Sequence, residues 1–262
     1  MNILIIGNGF DLAHGLPATY SDVLNFLYYI RCTSTWHGGK DKFINTHLNN
    51  IPSNEFLFQS VTNAFDSRIE TGYNNCSNSD SKIQEIYDNL DDNIWFSYLR
   101  EIYIKGKMKG INWIDFESEI SFIIEQIDRT EQNLYLPFKK FSSGEHDEKV
   151  QLFLSQLSFK KYLESNFRPD NYVVTFRDFL DKSYSDLRRL VRCIEIYFLN
   201  YVEKIPVKEI SPDIQNVNPN AVLCFNYTHT FIRNYSFEKE IDIHYIHGET
   251  QESAYNLSLI HI

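Results

Sequence analysis

The 262-residue chain has only four cysteines, and no two of them form a Cys-x-x-Cys pair. Cys32, Cys76, Cys193 and Cys224 are scattered, which argues against a structural zinc module and a disulfide framework and predicts reduced thiols. Long apolar runs are missing too: none approaches the roughly 18 residues of a membrane span, and the apolar start lacks the basic flank of a signal peptide. A cytoplasmic location with no membrane partner is expected. Positive charge is in deficit, with 25 Lys and Arg against 35 Asp and Glu for a net charge of −10. That balance argues against general nucleic-acid binding, whose affinity comes from clustered cations displacing counterions. The local basic groups, Lys105, Lys107 and Lys109, and Arg188, Arg189 and Arg192, read as a solvated loop and a surface helix.

Glycine is sparse, at 10 residues, yet three of them fall at positions 7, 9 and 15. The apolar run Ile3-Leu4-Ile5-Ile6 leads directly into Gly7-Asn8-Gly9-Phe10-Asp11, the pattern of a strand feeding a glycine turn. A backbone without Cβ atoms at that point lets an anion approach the amides of the next helix. The ordinary dinucleotide fingerprint would need a third glycine at position 12, which is Leu12, and an acidic residue about 20 residues on, at the end of a second strand. Gly-x-Gly alone is a weak mark that a tight strand-to-helix turn explains; Gly15-Leu16-Pro17 follows it, and this second mark makes the pattern more specific.

Hydrophobic residues make up 43% of the chain, ample for a core. Apolar spacing predicts helices over 20–32, with Thr19 or Ser21 as cap, and over 55–70, 82–105, 115–127, 148–166 and 172–203. Residues 33–54 and 71–81 read as polar loops. Strands return at 221–225 and 241–246, after Pro206, Pro212 and Pro219. One strand at the start, mostly helix between, and two strands at the end predict an α/β fold: a Rossmann-like parallel sheet with a large helical insertion. Residues 1–32 and 215–256 would form the nucleotide-binding core and 33–214 the insertion. Both chain ends would then meet at the carboxyl edge of the sheet, where open α/β folds bind ligands.

The double glycine mark resembles the NAD-binding loop of the sirtuin superfamily, where Gly-Ala-Gly-x-Ser is followed at the same spacing by Gly-Ile-Pro. More closely, Ile5 to Tyr20 followed by Ser21-Asp22 is similar to the opening of the AbiH family of bacterial phage-defence proteins. Asn112-Trp113-Ile114-Asp115-Phe116-Glu117 resembles that family's internal Trp-x-Asp-x-Glu. Cys224-Phe225-Asn226-Tyr227-Thr228 with Ile246-His247-Gly248-Glu249 resembles its closing pair. The resemblance implies an abortive-infection protein with a sirtuin-like core and NAD as ligand or substrate. It implies Asn226 and His247 as catalytic residues that hold the nicotinamide ribose and support departure of nicotinamide. It places the ligand against Gly7, Asn8, Gly9, Phe10, Asp11, His14, Gly15, Thr228 and Gly248. The four-cysteine zinc module of sirtuin deacylases is absent, which weighs against deacylation, and no metal is expected.

Asp11 stands where sirtuins place Ser, and Thr228 where they usually place Asp. A carboxylate in a loop meant for a diphosphate repels it unless it turns to a ribose hydroxyl, caps a helix or binds a cation. Two rival readings follow: a nucleotide sensor that does not cleave, its insertion facing a partner protein, or a nuclease-like effector using Asp11, Asp115 and Glu117 with a divalent cation. His229 is a further candidate for ligand contact, whereas His244 and His247, three apart on a strand, face opposite ways. A nucleotide is the expected ligand, and a second copy of the chain is a candidate partner. Residues 257–262 resemble a translated sequencing adapter, so a non-native tail and a C-terminally truncated domain are expected.

Overall fold

The computed structural model describes residues 2–48, 55–71, 81–111, 114–130, 133–166, 171–207, 209–235 and 241–246. The chain divides into two compact units, one of Met1–Asp88 with Val191–Leu259 and one centred on Asn89–Leu190. Each has its own core.

In the first unit, β1 (Ile3–Ile6) continues almost without a break into α1 (Asn8–Ala13), followed by α2 (Tyr20–Thr35), α3 (Lys40–Phe43), α4 (Glu55–Thr71) and α5 (Ser81–Leu90). Thr19 starts α2 by a reciprocal capping box: its hydroxyl accepts from the Asp22 N–H, and the Asp22 carboxylate accepts from the Thr19 N–H. The buried stripe Val23, Leu24, Leu27 and Ile30 then packs on α4, which supplies Leu57, Val61 and Phe65. The segment expected as a loop over 33–54 holds α3 and a π-helical turn at Ile44–Leu48, because Phe43, fully buried and stacked on Phe65, supplies an apolar anchor. The rest of that segment, 49–54, lies outside the described residues.

The second unit contains α6 (Ile94–Met108), α7 (Phe116–Thr130), α8 (Phe138–Ser142), α9 (Glu148–Ser155), α10 (Lys160–Ser165) and most of α11 (Phe176–Ile196). Its core is aromatic: Trp95 lies 4.5 Å from Phe153, and Phe141 4.7 Å from Phe176. The single helix expected over 82–105 is two, because Asp92 takes φ 54° and Asn93 caps α6 by accepting from the Phe96 N–H. The stretch 148–166 likewise divides into α9 and α10. Lys182, only 3% exposed, is satisfied by the Asp92 carbonyl and the Asp186 carboxylate, each at 3.0 Å.

After α11 a π turn (Tyr197–Tyr201) and a 3₁₀ turn (Val202–Lys204) lead to α12 (Pro212–Gln215), β2 (Ala221–Cys224), α13 (Thr230–Asn234) and β3 (Asp242–Tyr245). The strands form one parallel sheet in the order β1-β2-β3, with Ile6 opposite Cys224 and Cys224 opposite Tyr245. The protein is therefore of mixed α/β class, its sheet assembled from both ends of the chain. One face is buried by period-two alternation: Leu4, Ile6, Val222, Cys224, Ile243 and Tyr245 pack with Phe10 of α1, Phe231 of α13 and Tyr235. On the other face Ile3 and Ile5 are 51% and 65% exposed. Arg192, expected on a surface, is buried and holds Glu85 and Glu195.

Candidate functional site

The carboxyl ends of β1 and β2 lie side by side, tied by a 2.9 Å bond from the Phe225 N–H to the Ile6 carbonyl. Directly beyond them α1 delivers Asp11, the turn after β2 delivers Asn226 and Thr228, and the start of α13 delivers Thr230. All four side chains are at least 96% buried. The Thr228 hydroxyl donates to Asp11 Oδ2 at 2.7 Å and lies 2.9 Å from the Thr230 hydroxyl. Asp11 Oδ1 has no hydrogen-bond partner, and neither has Oδ1 or Nδ2 of Asn226. Three unsatisfied polar atoms on two buried side chains are costly, since each buried group left unpaired costs about 1–3 kcal/mol. Burial pushes the Asp11 carboxyl above its usual range, opposed by the Thr228 and Thr230 hydroxyls, the His14 ring and the Asn226 amide. The Asn226 dipole thus favours the carboxylate without forming a well-aligned hydrogen bond to it.

The glycines divide into two kinds. Gly15 is explained by the chain itself: at φ +74° it ends α1 in a Schellman motif, its N–H donating to the Leu12 carbonyl and the Leu16 N–H to the Asp11 carbonyl, both at 3.0 Å. Gly7 has extended backbone (φ −136°) and Gly9 is helical, and a Cβ on either would meet nothing within 4 Å. Neither conformation nor packing requires glycine at these two places, although Gly9 weakens α1 by about 0.5–1 kcal/mol relative to Ala. Open space therefore lies over both, at the same strand end as the unsatisfied atoms. The expected glycine loop is in fact the first turn of α1, which begins at Asn8.

Other expected residues have structural occupations. Phe10 stacks in the core against His14 at 4.4 Å and Tyr235 at 5.7 Å. His14 is buried with both nitrogens bonded, Nδ1 to the Phe10 carbonyl at 2.6 Å and Nε2 to the Tyr235 hydroxyl at 2.7 Å. A carbonyl can only accept, so Nδ1 carries the proton, and in the neutral ring the Tyr235 hydroxyl donates to Nε2 while accepting from the Ser211 N–H at 3.0 Å. Asn8 is exposed. Asp115 caps α7 by accepting from the Ser118 N–H and hydroxyl, and with Glu117 it belongs to the second unit. Among the described residues, no three His, Cys, Asp or Glu side chains cluster in a way that could hold a metal ion. His247, Gly248 and Trp113 lie outside the described residues, as do Cys76 and 257–262.

Sequence reading missed Thr230, Tyr235 and the Glu203–His229 pair, in which Glu203 Oε1 accepts from the His229 backbone N–H at 3.0 Å and from Nδ1 at 2.7 Å. Alternating Thr228 and Thr230 around His229 was the available signal for the first. Cys224 lies beneath the site, its thiol pushed up to about 11 by burial first and by the Asp11 charge, so it is protonated and unreactive at neutral pH.

The site defines an α/β protein with a desolvated, incompletely satisfied polar pair at the carboxyl edge of a parallel sheet, the position at which such sheets receive ligands. The family model described as bacteriophage abortive infection AbiH matches residues 3–261, and the chain belongs to that family. No curated protein and no solved structure matches it. Among the described residues, no helix is long and apolar enough to cross a membrane.

Proposed function

We propose that this AbiH-family phage-defence protein binds a nucleotide at Gly7, Gly9, Asp11, Asn226 and Thr228, and that it depletes NAD during abortive infection by hydrolysing the nicotinamide glycosidic bond. The observation that carries the reading is the set of unsatisfied buried atoms on Asp11 and Asn226, at the strand end where Gly7 and Gly9 leave open space. A protein keeps unpaired groups under cover where a ligand supplies the missing partners. The three-stranded parallel sheet, with its ligand edge at β1 and β2, is read as a Rossmann-like, sirtuin-like core.

In that reaction the C1′–N bond breaks and its electron pair passes to the pyridinium nitrogen, releasing neutral nicotinamide. Water adds to C1′ and loses a proton, giving ADP-ribose. The leaving group is already cationic, so the protein's task is alignment and proton removal. The buried Asn226 amide is suited to aligning a ribose or a water. The resemblance assigns the proton to His247, and a positioned base contributes roughly 100- to 10,000-fold. The same site without cleavage would be a sensor.

The test is NAD and nicotinamide by mass spectrometry in bacteria expressing the protein, before and after phage infection, alongside Asn226→Ala and His247→Ala. Infection-dependent loss of NAD that either substitution abolishes supports hydrolysis. Protection of the culture with NAD unchanged overturns it in favour of sensing.

A further inference from the structure

We infer that Asp11 and Asn226 read the hydroxyl groups of a ribose, which makes the site selective for ligands with an intact vicinal diol; this rests on the nucleotide-binding reading above. The buried pair lacks partners for three polar atoms. Thr228 occupies Asp11 Oδ2 at 2.7 Å, so the carboxylate offers Oδ1 alone. Asn226 offers one acceptor, Oδ1, and one donor group, Nδ2. The complement must bring two donors and at least one acceptor. A phosphate at neutral pH brings acceptors only, and beside a carboxylate of the same sign it is repelled as well. A vicinal diol brings two O–H donors whose oxygens also accept. One hydroxyl donates to Asp11 Oδ1, and the other donates to Asn226 Oδ1 or accepts from Nδ2.

Location supports the same assignment. In open α/β sheets an acidic side chain near the strand ends accepts from a ribose hydroxyl, while the glycine turn gives the ligand backbone access. Here the carboxylate comes from α1 itself, four residues after Gly7, and not from the end of the next strand. Asp11 is 1% exposed and Asn226 4% exposed, so water does not compete freely once a ligand is seated. A hydrogen bond to a desolvated charged acceptor discriminates strongly, because the analogue without the hydroxyl leaves the carboxylate unpaired.

The experiment is calorimetric titration of the full chain with NAD and with two analogues, each lacking both hydroxyls of one of the two riboses. One analogue is expected to bind about 10- to 100-fold more weakly than NAD, the range for losing a hydrogen bond to a buried charged group. Asp11→Asn should compress that ratio towards one, with folding of the variant checked by its thermal transition. Equal binding of NAD and both analogues overturns the diol assignment and leaves the nucleotide reading standing. If Asp11→Asn weakens all three ligands alike, Asp11 meets a different donor, such as a ring amide, and the assignment also falls. Failure of NAD itself to bind removes the nucleotide reading on which the assignment rests.

Discussion

Replacing Asn226 with Leu should stabilise the protein while abolishing its activity. Leu has the same branched skeleton as Asn, so the substitution exchanges an amide for two methyl groups. The amide is 96% buried with neither polar atom bonded, and only its backbone carbonyl has a role, accepting from the Cys224 thiol. An unsatisfied buried polar group costs about 1–3 kcal/mol, and replacement by an apolar group of similar shape recovers part of that. A gain of about 1–2 kcal/mol is expected, which for a chain of this size raises Tm by about 2–8 °C. Differential scanning calorimetry on wild-type and variant chains reads the shift, and a plaque assay reads loss of protection. A variant destabilised by 1 kcal/mol or more (~2–4 °C lower Tm) would refute the reasoning, because it would mean that the amide is satisfied within the fold and is not held for a ligand.

Asp11→Asn should flatten the dependence of stability on pH. The folded carboxyl titrates above its unfolded value of 3.8, so between the two values the native state holds the proton more tightly and stability falls as pH rises. The wild-type contribution is intact below 3.8 and lost as pH rises through the folded value, at about 1.4 kcal/mol per unit of separation; urea unfolding from pH 3.5 to 7.5 should show the variant gaining on wild type towards neutrality. Tyr235→Phe breaks the chain from the Ser211 N–H through the Tyr235 hydroxyl to His14 and leaves the buried His14 Nε2 and the half-buried Ser211 N–H without that partner, so a loss of about 1–3 kcal/mol in urea midpoint analysis is expected.

How much of this was legible in the sequence differs between fold and site. The strands were visible because Ile3-Leu4-Ile5-Ile6 and Ala221-Val222-Leu223-Cys224 are short apolar runs bounded by turn residues, and their pairing followed from parallel α/β logic. The break at Asp91-Asp92-Asn93 was not visible, since a left-handed Asp and an Asn cap look like two polar helix positions in a periodic count. At the site, the resemblance implied ligand roles for Phe10, His14 and Gly15. The structure gives Gly15 a local capping role and gives Phe10 and His14 packing roles that depend on Tyr235, far along the chain. The informative property of Asp11 and Asn226, burial without partners, is three-dimensional and leaves no mark in residue spacing.

The measurement that bears most directly on the central claim is incubation of the purified chain with NAD in the presence of phage lysate, with nicotinamide and ADP-ribose quantified over time against Asn226→Leu. The account predicts equal release of the two products by the wild-type chain and none above background by the better-folded variant. NAD left intact by a folded wild-type chain in the presence of phage lysate, or cleavage undiminished by Asn226→Leu, would contradict it.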